Sequence, residues 1–163
     1  MKDVIIQLLG ALVSSYGFAL LFRVRKGLVL PASLGGLLCW GSYLLCCALM
    51  EGIFYPTLIA TVVSTIYAEV LARVLRAPAP IFFVPTVITL VPGSSLFYAM
   101  CAAVEGDMAL ARSHGWTLVL YVLGLAAGAS LVWALSDMTR REYEKEISSF
   151  VPEEYYTFSV KAD

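Results

Sequence analysis

Apolar stretches of about 20 residues, the length a helix needs to cross the hydrocarbon core of a bilayer, recur along this chain and constrain its fold more than any other feature. The first covers about 4–22 and closes on Arg23, Arg25 and Lys26. Its apolar part exceeds the roughly 7–15 residues of a signal-peptide core, and no small-residue cleavage site precedes Arg23, so it reads as a retained anchor. The second, about 28–50, contains Pro31 and the run Ser33-Leu34-Gly35-Gly36, and ends at Glu51-Gly52. The third covers about 56–75. Ala77-Pro78-Ala79-Pro80 is a turn too short to cross anything, so the fourth stretch, about 81–104, returns as the hairpin partner of the third. A polar loop over 105–115 leads to the fifth, about 116–136.

Within hydrocarbon every backbone polar group needs a partner inside the protein, and a helix supplies one from its own segment. The sequence therefore predicts an all-α, polytopic membrane bundle over 1–136 with about five transmembrane helices, followed by a charged tail over 137–163. Composition agrees, since 60% hydrophobic and only 14% charged residues lie far from a soluble balance. Lysine and arginine mark the cytoplasmic flanks of such bundles. With five spans, one side holds Arg23, Arg25, Lys26, Arg73, Arg76, Arg140, Arg141 and Lys145, and the other only Lys2 and Arg112. The expected arrangement places the N-terminus outside and the C-terminus in the cytoplasm.

A net charge of −1 without a basic run excludes nucleic acid as a partner. Cys39, Cys46, Cys47 and Cys101 lie inside apolar stretches without the spacing or companion histidines of a zinc site, and read as small apolar residues.

The most informative motif is Val91-Pro92-Gly93-Ser94-Ser95, near the centre of the fourth stretch. A helix loses hydrogen bonds on passing through Pro-Gly, and in a membrane the freed groups are tolerated where they face protein or a water-filled cavity. The second half-helix would start near Ser94, with its N–H groups directed at mid-membrane, an arrangement transporters use to hold carboxylates. A plain proline kink is the alternative. On the first reading Pro92, Gly93, Ser94, Ser95 and Tyr98 are candidate substrate-binding residues.

The third stretch carries Thr57, Thr61, Thr65, Glu69 and Arg73 at four-residue spacing, with Ser64 and Ala68 beside them, a polar stripe that faces helices or water. Glu69 is the acid deepest within a span, which makes it, with Thr65 and Arg73, a candidate for ion coupling or a pathway. The competing reading is a local Glu69–Arg73 ion pair. Tyr67, Tyr98, Tyr121 and Trp133 line a pathway or anchor the interface, and His114 is expected alone in the external loop. Gly10 with Ser14, Ala32 with Gly36, and Gly124 with Gly128 provide close helix contacts. The tail offers an Arg140–Glu144 helical pair, read as a solvated helix or a docking segment. No nucleophile motif, metal-binding helix or nucleotide loop appears, so neither enzyme activity nor a cofactor is expected.

Glu69-Val-Leu-Ala-Arg-Val-Leu-Arg-Ala-Pro-Ala-Pro, Pro85, Leu90-Val-Pro-Gly-Ser-Ser, Tyr98 and Glu105-Gly-Asp107 together resemble the threonine/serine exporter family in its short, split-subunit form. The matching positions are Arg73, Pro78, Pro85, Pro92, Gly93, Ser94, Tyr98, Gly106 and Asp107. The resemblance implies a multi-pass protein of the bacterial inner membrane that works with a longer membrane subunit of the same family. It further implies export of small carboxylates, threonine and serine or a dicarboxylate such as succinate. A structural or assembly subunit without a substrate site is the alternative. The expected partners are the bilayer, the longer subunit and a small carboxylate, with association between copies left open.

Overall fold

The computed structural model describes the backbone of residues 2–150 and the side chains of residues 2–138. The charged tail with its Arg140–Glu144 pair therefore falls largely outside the described side chains. Helix α1 is Lys2–Leu21, α2 Lys26–Leu49, α3 Phe54–Leu75 and α4 Pro80–Val87; a short 3-10 turn, Ile88–Leu90, precedes α5 (Gly93–Glu105) and α6 (Met108–Phe150). Among the described residues four helices, α1, α2, α3 and α6, are each long and apolar enough to cross a membrane. The pair α4 and α5, bent by 50° at its break, brings the total to as many as 5.

Local chemistry sets the helix ends. Arg76 takes a left-handed φ of 49°, and the Ala77 N–H closes on the Ala72 carbonyl at 3.1 Å, which stops α3 and reverses the chain. Pro80 then opens α4 at a position where a missing N–H costs nothing. Gly106, at φ 85°, ends α5 in the same way, with the Asp107 N–H on the Ala102 carbonyl at 2.9 Å. The Asp107 carboxylate then accepts the Leu110 N–H at 3.0 Å and starts α6. The loop expected over 105–115 is thus reduced to two residues that stop one helix and cap the next.

Helix α2 lies between α1 and α3, α4 is wedged among α1, α2 and α3, α6 packs along α3, and α5 rests chiefly on α6. Small residues make these seams close. A Cβ at Gly36 would strike the Ser15 side chain and lie 3.2 Å from the Ala11 carbonyl. One at Gly35 would strike the Thr86 hydroxyl. On α6, a Cβ at Gly124 would lie 3.0 Å from the Phe54 carbonyl, and one at Gly128 2.8 Å from that of Leu58. Two of the three small-residue pairs therefore sit in helix seams, whereas Gly10 meets nothing within 4 Å and Ser14 is exposed.

The interior is correspondingly built from small and hydroxyl-bearing residues. Thr57, Thr61, Ser64, Thr65, Thr86 and Ser15 are fully buried, while Ile6, Val13, Leu30, Leu45 and Val122 point outward. That inversion suits a solvent of lipid chains, in which burying leucine brings no hydrophobic gain.

Candidate functional site

The fourth span is bonded to α1 and α2 up to its break and packs on α6 after it. Ser15 of α1 donates its hydroxyl to the Pro85 carbonyl at 2.8 Å and lies 3.2 Å from the Ala32 carbonyl, joining α1, α2 and α4 at one buried oxygen. Thr86 also approaches the Ala32 carbonyl, at 3.4 Å, and the Tyr67 hydroxyl of α3 donates to the Pro31 carbonyl at 2.7 Å. Leu90 is buried with Cys39, Tyr43 and Ala60. The backbone then turns tightly, with the Gly93 N–H on the Val91 carbonyl at 2.8 Å, and α5 departs at 50°.

The break stands at mid-bundle depth. Val91 shares a cavity of about 330 Å³ with Gly10 and Ser14 from the middle of α1 and with Trp40 of α2. Pro92 and Ser95 are half-buried, whereas Gly93, Ser94 and Tyr98 are exposed on this chain's surface, Tyr98 by 55%. The bend carries α5 onto α6, so the first turn of α5 points outward from this chain instead of into its centre. His114, expected alone in a loop, lies in α6 with its ring 5.7 Å from that of Tyr98. The other aromatic candidates make internal contacts: Tyr121 shares a hydrogen bond with Tyr43 (2.5 Å), and the Trp133 ring packs 5.0 Å from Phe83.

The stripe on α3 divides into two parts. Its upper hydroxyls turn back onto their own helix: Thr57 bonds the Ile53 carbonyl (2.8 Å), Thr61 that of Thr57 (2.8 Å), Ser64 that of Ala60 (2.6 Å) and Thr65 that of Thr61 (2.7 Å). The methyl faces of Thr57 and Thr61 are then free to pack on Gly124 and Gly128. Its lower part opens into a cavity of about 720 Å³ lined by Glu69, Arg73, Arg76, Pro80, Ser136 and Asp137, among others. There Ser136 of α6 donates to Glu69 Oε2 at 3.2 Å and accepts from Arg73 Nη2 at 3.2 Å. The contact foreseen as a direct Glu69–Arg73 pair thus runs through a serine on another helix. Pro80 also lines a cavity with Arg23 and Arg25, so both cation clusters lie at one end of the bundle.

A family model described as threonine/serine exporter, ThrE, matches residues 7–135. The chain belongs to the threonine/serine exporter family. The match runs from within α1 to within α6 and ends before the charged tail, and it makes this protein a membrane exporter by family. No curated protein and no solved structure matches the chain. Within this exporter the positions that carried the resemblance serve different ends. Gly106 and Asp107 shape the α5–α6 connection, Pro85 anchors α4, and Pro92 and Gly93 form the break.

Sequence reasoning did not single out Ser15, Thr86 or Ser136. Ser15 adjoins the Gly10–Ser14 pair but lies one residue further round α1, on the buried face. Ser136 sits at the edge of the fifth apolar stretch, where a lone serine carries no periodic signal.

Proposed function

We propose that this chain is the small membrane subunit of a secondary exporter of small carboxylate metabolites, threonine and serine or a dicarboxylate such as succinate, acting with a longer subunit of the family in the bacterial inner membrane. Family membership supports export. The observation that carries the rest is the mid-depth break whose Gly93 and Ser94 are exposed on this chain. Backbone freed from helical bonding at that depth requires protein or a water-filled cavity beside it, and a partner chain supplies both. Pro92, Gly93, Ser94, Ser95 and Tyr98 then form this subunit's share of a carboxylate site, with the amides at the α5 N-terminus favouring the anionic group.

The cation-rich end faces the cytoplasm on this reading, because translocation leaves lysine and arginine inside. The cavity holding Glu69, Arg73 and Ser136 is then an inner vestibule, and Glu69 and Arg73 serve ion coupling or entry, while Thr65, buried and bonded to the Thr61 carbonyl, packs outside it. The test is metabolite profiling of medium from cells lacking this gene or that of the longer subunit. Loss of either lowers the same exported acid; an unchanged medium in both strains refutes the proposal.

A second reading, a structural or assembly subunit without its own substrate site, is favoured by the hydroxyls of Thr57, Thr61 and Thr65, which bond their own helix and leave no donor for a pathway. Full-rate export by the longer subunit reconstituted alone decides for it.

A further inference from the structure

Helix α1 is among the most apolar segments of the chain, yet Gln7 and Ser14 stand on one face of it, two turns apart, with Gly10 and Ala11 between them. Lipid is a poor neighbour for such a face, since each unpaired polar group in hydrocarbon costs free energy. The face is largely open, with Gln7, Gly10 and Ser14 exposed on it. It forms one wall of the cavity of about 330 Å³ whose other walls are Trp40 of α2 and Ile88, Thr89 and Val91 beside the break.

The polar groups of this cavity are set in complementary senses. The Trp40 indole N–H donates to Gln7 Oε1 at 3.4 Å, which engages the amide's acceptor and leaves its NH₂ group to donate. Ser14 adds a second donor on the same helix. Also lining the cavity, the Thr89 hydroxyl donates to the Thr86 carbonyl at 2.9 Å and contacts the Cys39 thiol, which leaves a lone pair on its oxygen to accept. Among the described residues, no Asp, Glu, Lys or Arg lines the cavity. Its volume falls at the low end of the range of small-molecule pockets.

We propose that this cavity is a binding pocket for the exported molecule, in which Gln7 and Ser14 hold a carboxylate and Thr89 accepts from a hydroxyl or ammonium at the other end. A small hydroxy- or amino acid satisfies both walls. A dicarboxylate sets its second anion against the Thr89 oxygen, where no donor is free, so the pocket discriminates against it. The proposal rests on the exporter reading above and places a second carboxylate station beside the break, which the pocket touches through Val91 and which is separate from the α5 amides.

The test uses the full chain co-expressed with the longer subunit in intact membranes. Maleimide modification at S14C is followed by peptide mass spectrometry, which separates that position from the native cysteines. L-Threonine or L-serine at saturation is expected to slow the modification by about fivefold or more, and succinate is expected to leave it unchanged. In the same cells Gln7→Leu is expected to raise the substrate concentration for half-maximal export by about fivefold, the scale of one lost hydrogen bond, with its maximal rate retained. Modification that is indifferent to all three acids, while Pro92→Ala abolishes export, overturns the pocket and leaves the exporter standing. Modification that is blocked by the longer subunit alone makes this face a subunit interface and likewise overturns it. Protection by succinate equal to that by threonine overturns the donor and acceptor assignment. Unchanged export in the gene deletion would instead remove the reading on which the pocket rests.

Discussion

The Ser15 hydroxyl of α1 donates to the Pro85 carbonyl of α4 at 2.8 Å, deep in the bundle. Near Pro85 the helix passes into the 3-10 turn Ile88–Leu90, and the serine supplies this carbonyl with a donor from another span. Ser15→Ala removes that interhelical donor. The expected loss is about 0.6–2 kcal/mol, because interhelical hydrogen bonds in membranes average low and unsatisfied groups cost more. Thermal or denaturant unfolding of the purified protein in detergent reads it, and Ser14→Ala, on the exposed face, should leave the midpoint nearly unchanged.

Gly128 tests the α3–α6 seam. A Cβ there lies 2.8 Å from the Leu58 carbonyl, a backbone atom that does not yield as a side chain end does. Gly128→Leu is therefore expected to destabilise the protein by about 1–3 kcal/mol or to abolish its accumulation. Gly17→Ala is the control, since nothing stands within 4 Å of that position and alanine favours a helix by about 0.5–1 kcal/mol.

Ser136 links Glu69 to Arg73 at the mouth of the larger cavity. Because that mouth opens to solvent and Arg73 is exposed, Ser136→Ala should change stability by less than about 1 kcal/mol. If the cavity is a vestibule with a coupling role, Glu69→Gln lowers the export rate several-fold while the protein inserts normally. Equal export by both variants and wild type would remove Glu69 from the pathway.

Orientation is open to direct measurement. Arg25 and Ala77 flank the end at which the cations gather, and Glu51 lies in the turn between α2 and α3. In intact cells a membrane-impermeant thiol reagent should modify E51C, and should reach R25C and A77C only after permeabilisation. The opposite pattern inverts the topology.

How much of this was legible in the chain follows from which physics each feature obeys. Spans were readable because apolar length alone decides them, and the break because proline and glycine act on their own backbone wherever they lie. The start of α6 was not readable by hydropathy, since Arg112 and His114 make the first turns polar; the cue was the Gly106-Asp107 pair, a helix stop followed by a cap. The link between Glu69 and Arg73 was not readable, because the residue that bonds both comes from a helix more than sixty positions away. Exposure of Gly93 and Ser94 depends on the 50° bend, a tertiary quantity with no local signature.

The central claim is that export passes beside the Pro92-Gly93 break. Gly93→Leu addresses it, since a Cβ at this position meets nothing within 4 Å. Efflux of labelled threonine, serine and succinate from proteoliposomes holding this chain and the longer subunit should fall below about one-tenth of the wild-type rate in this variant, for whichever acid the wild type exports. That loss, about 1.4 kcal/mol in the barrier or more, reports a group approaching the break from outside the chain. Wild-type efflux from correctly inserted Gly93→Leu protein would contradict the claim and return the break to a plain kink.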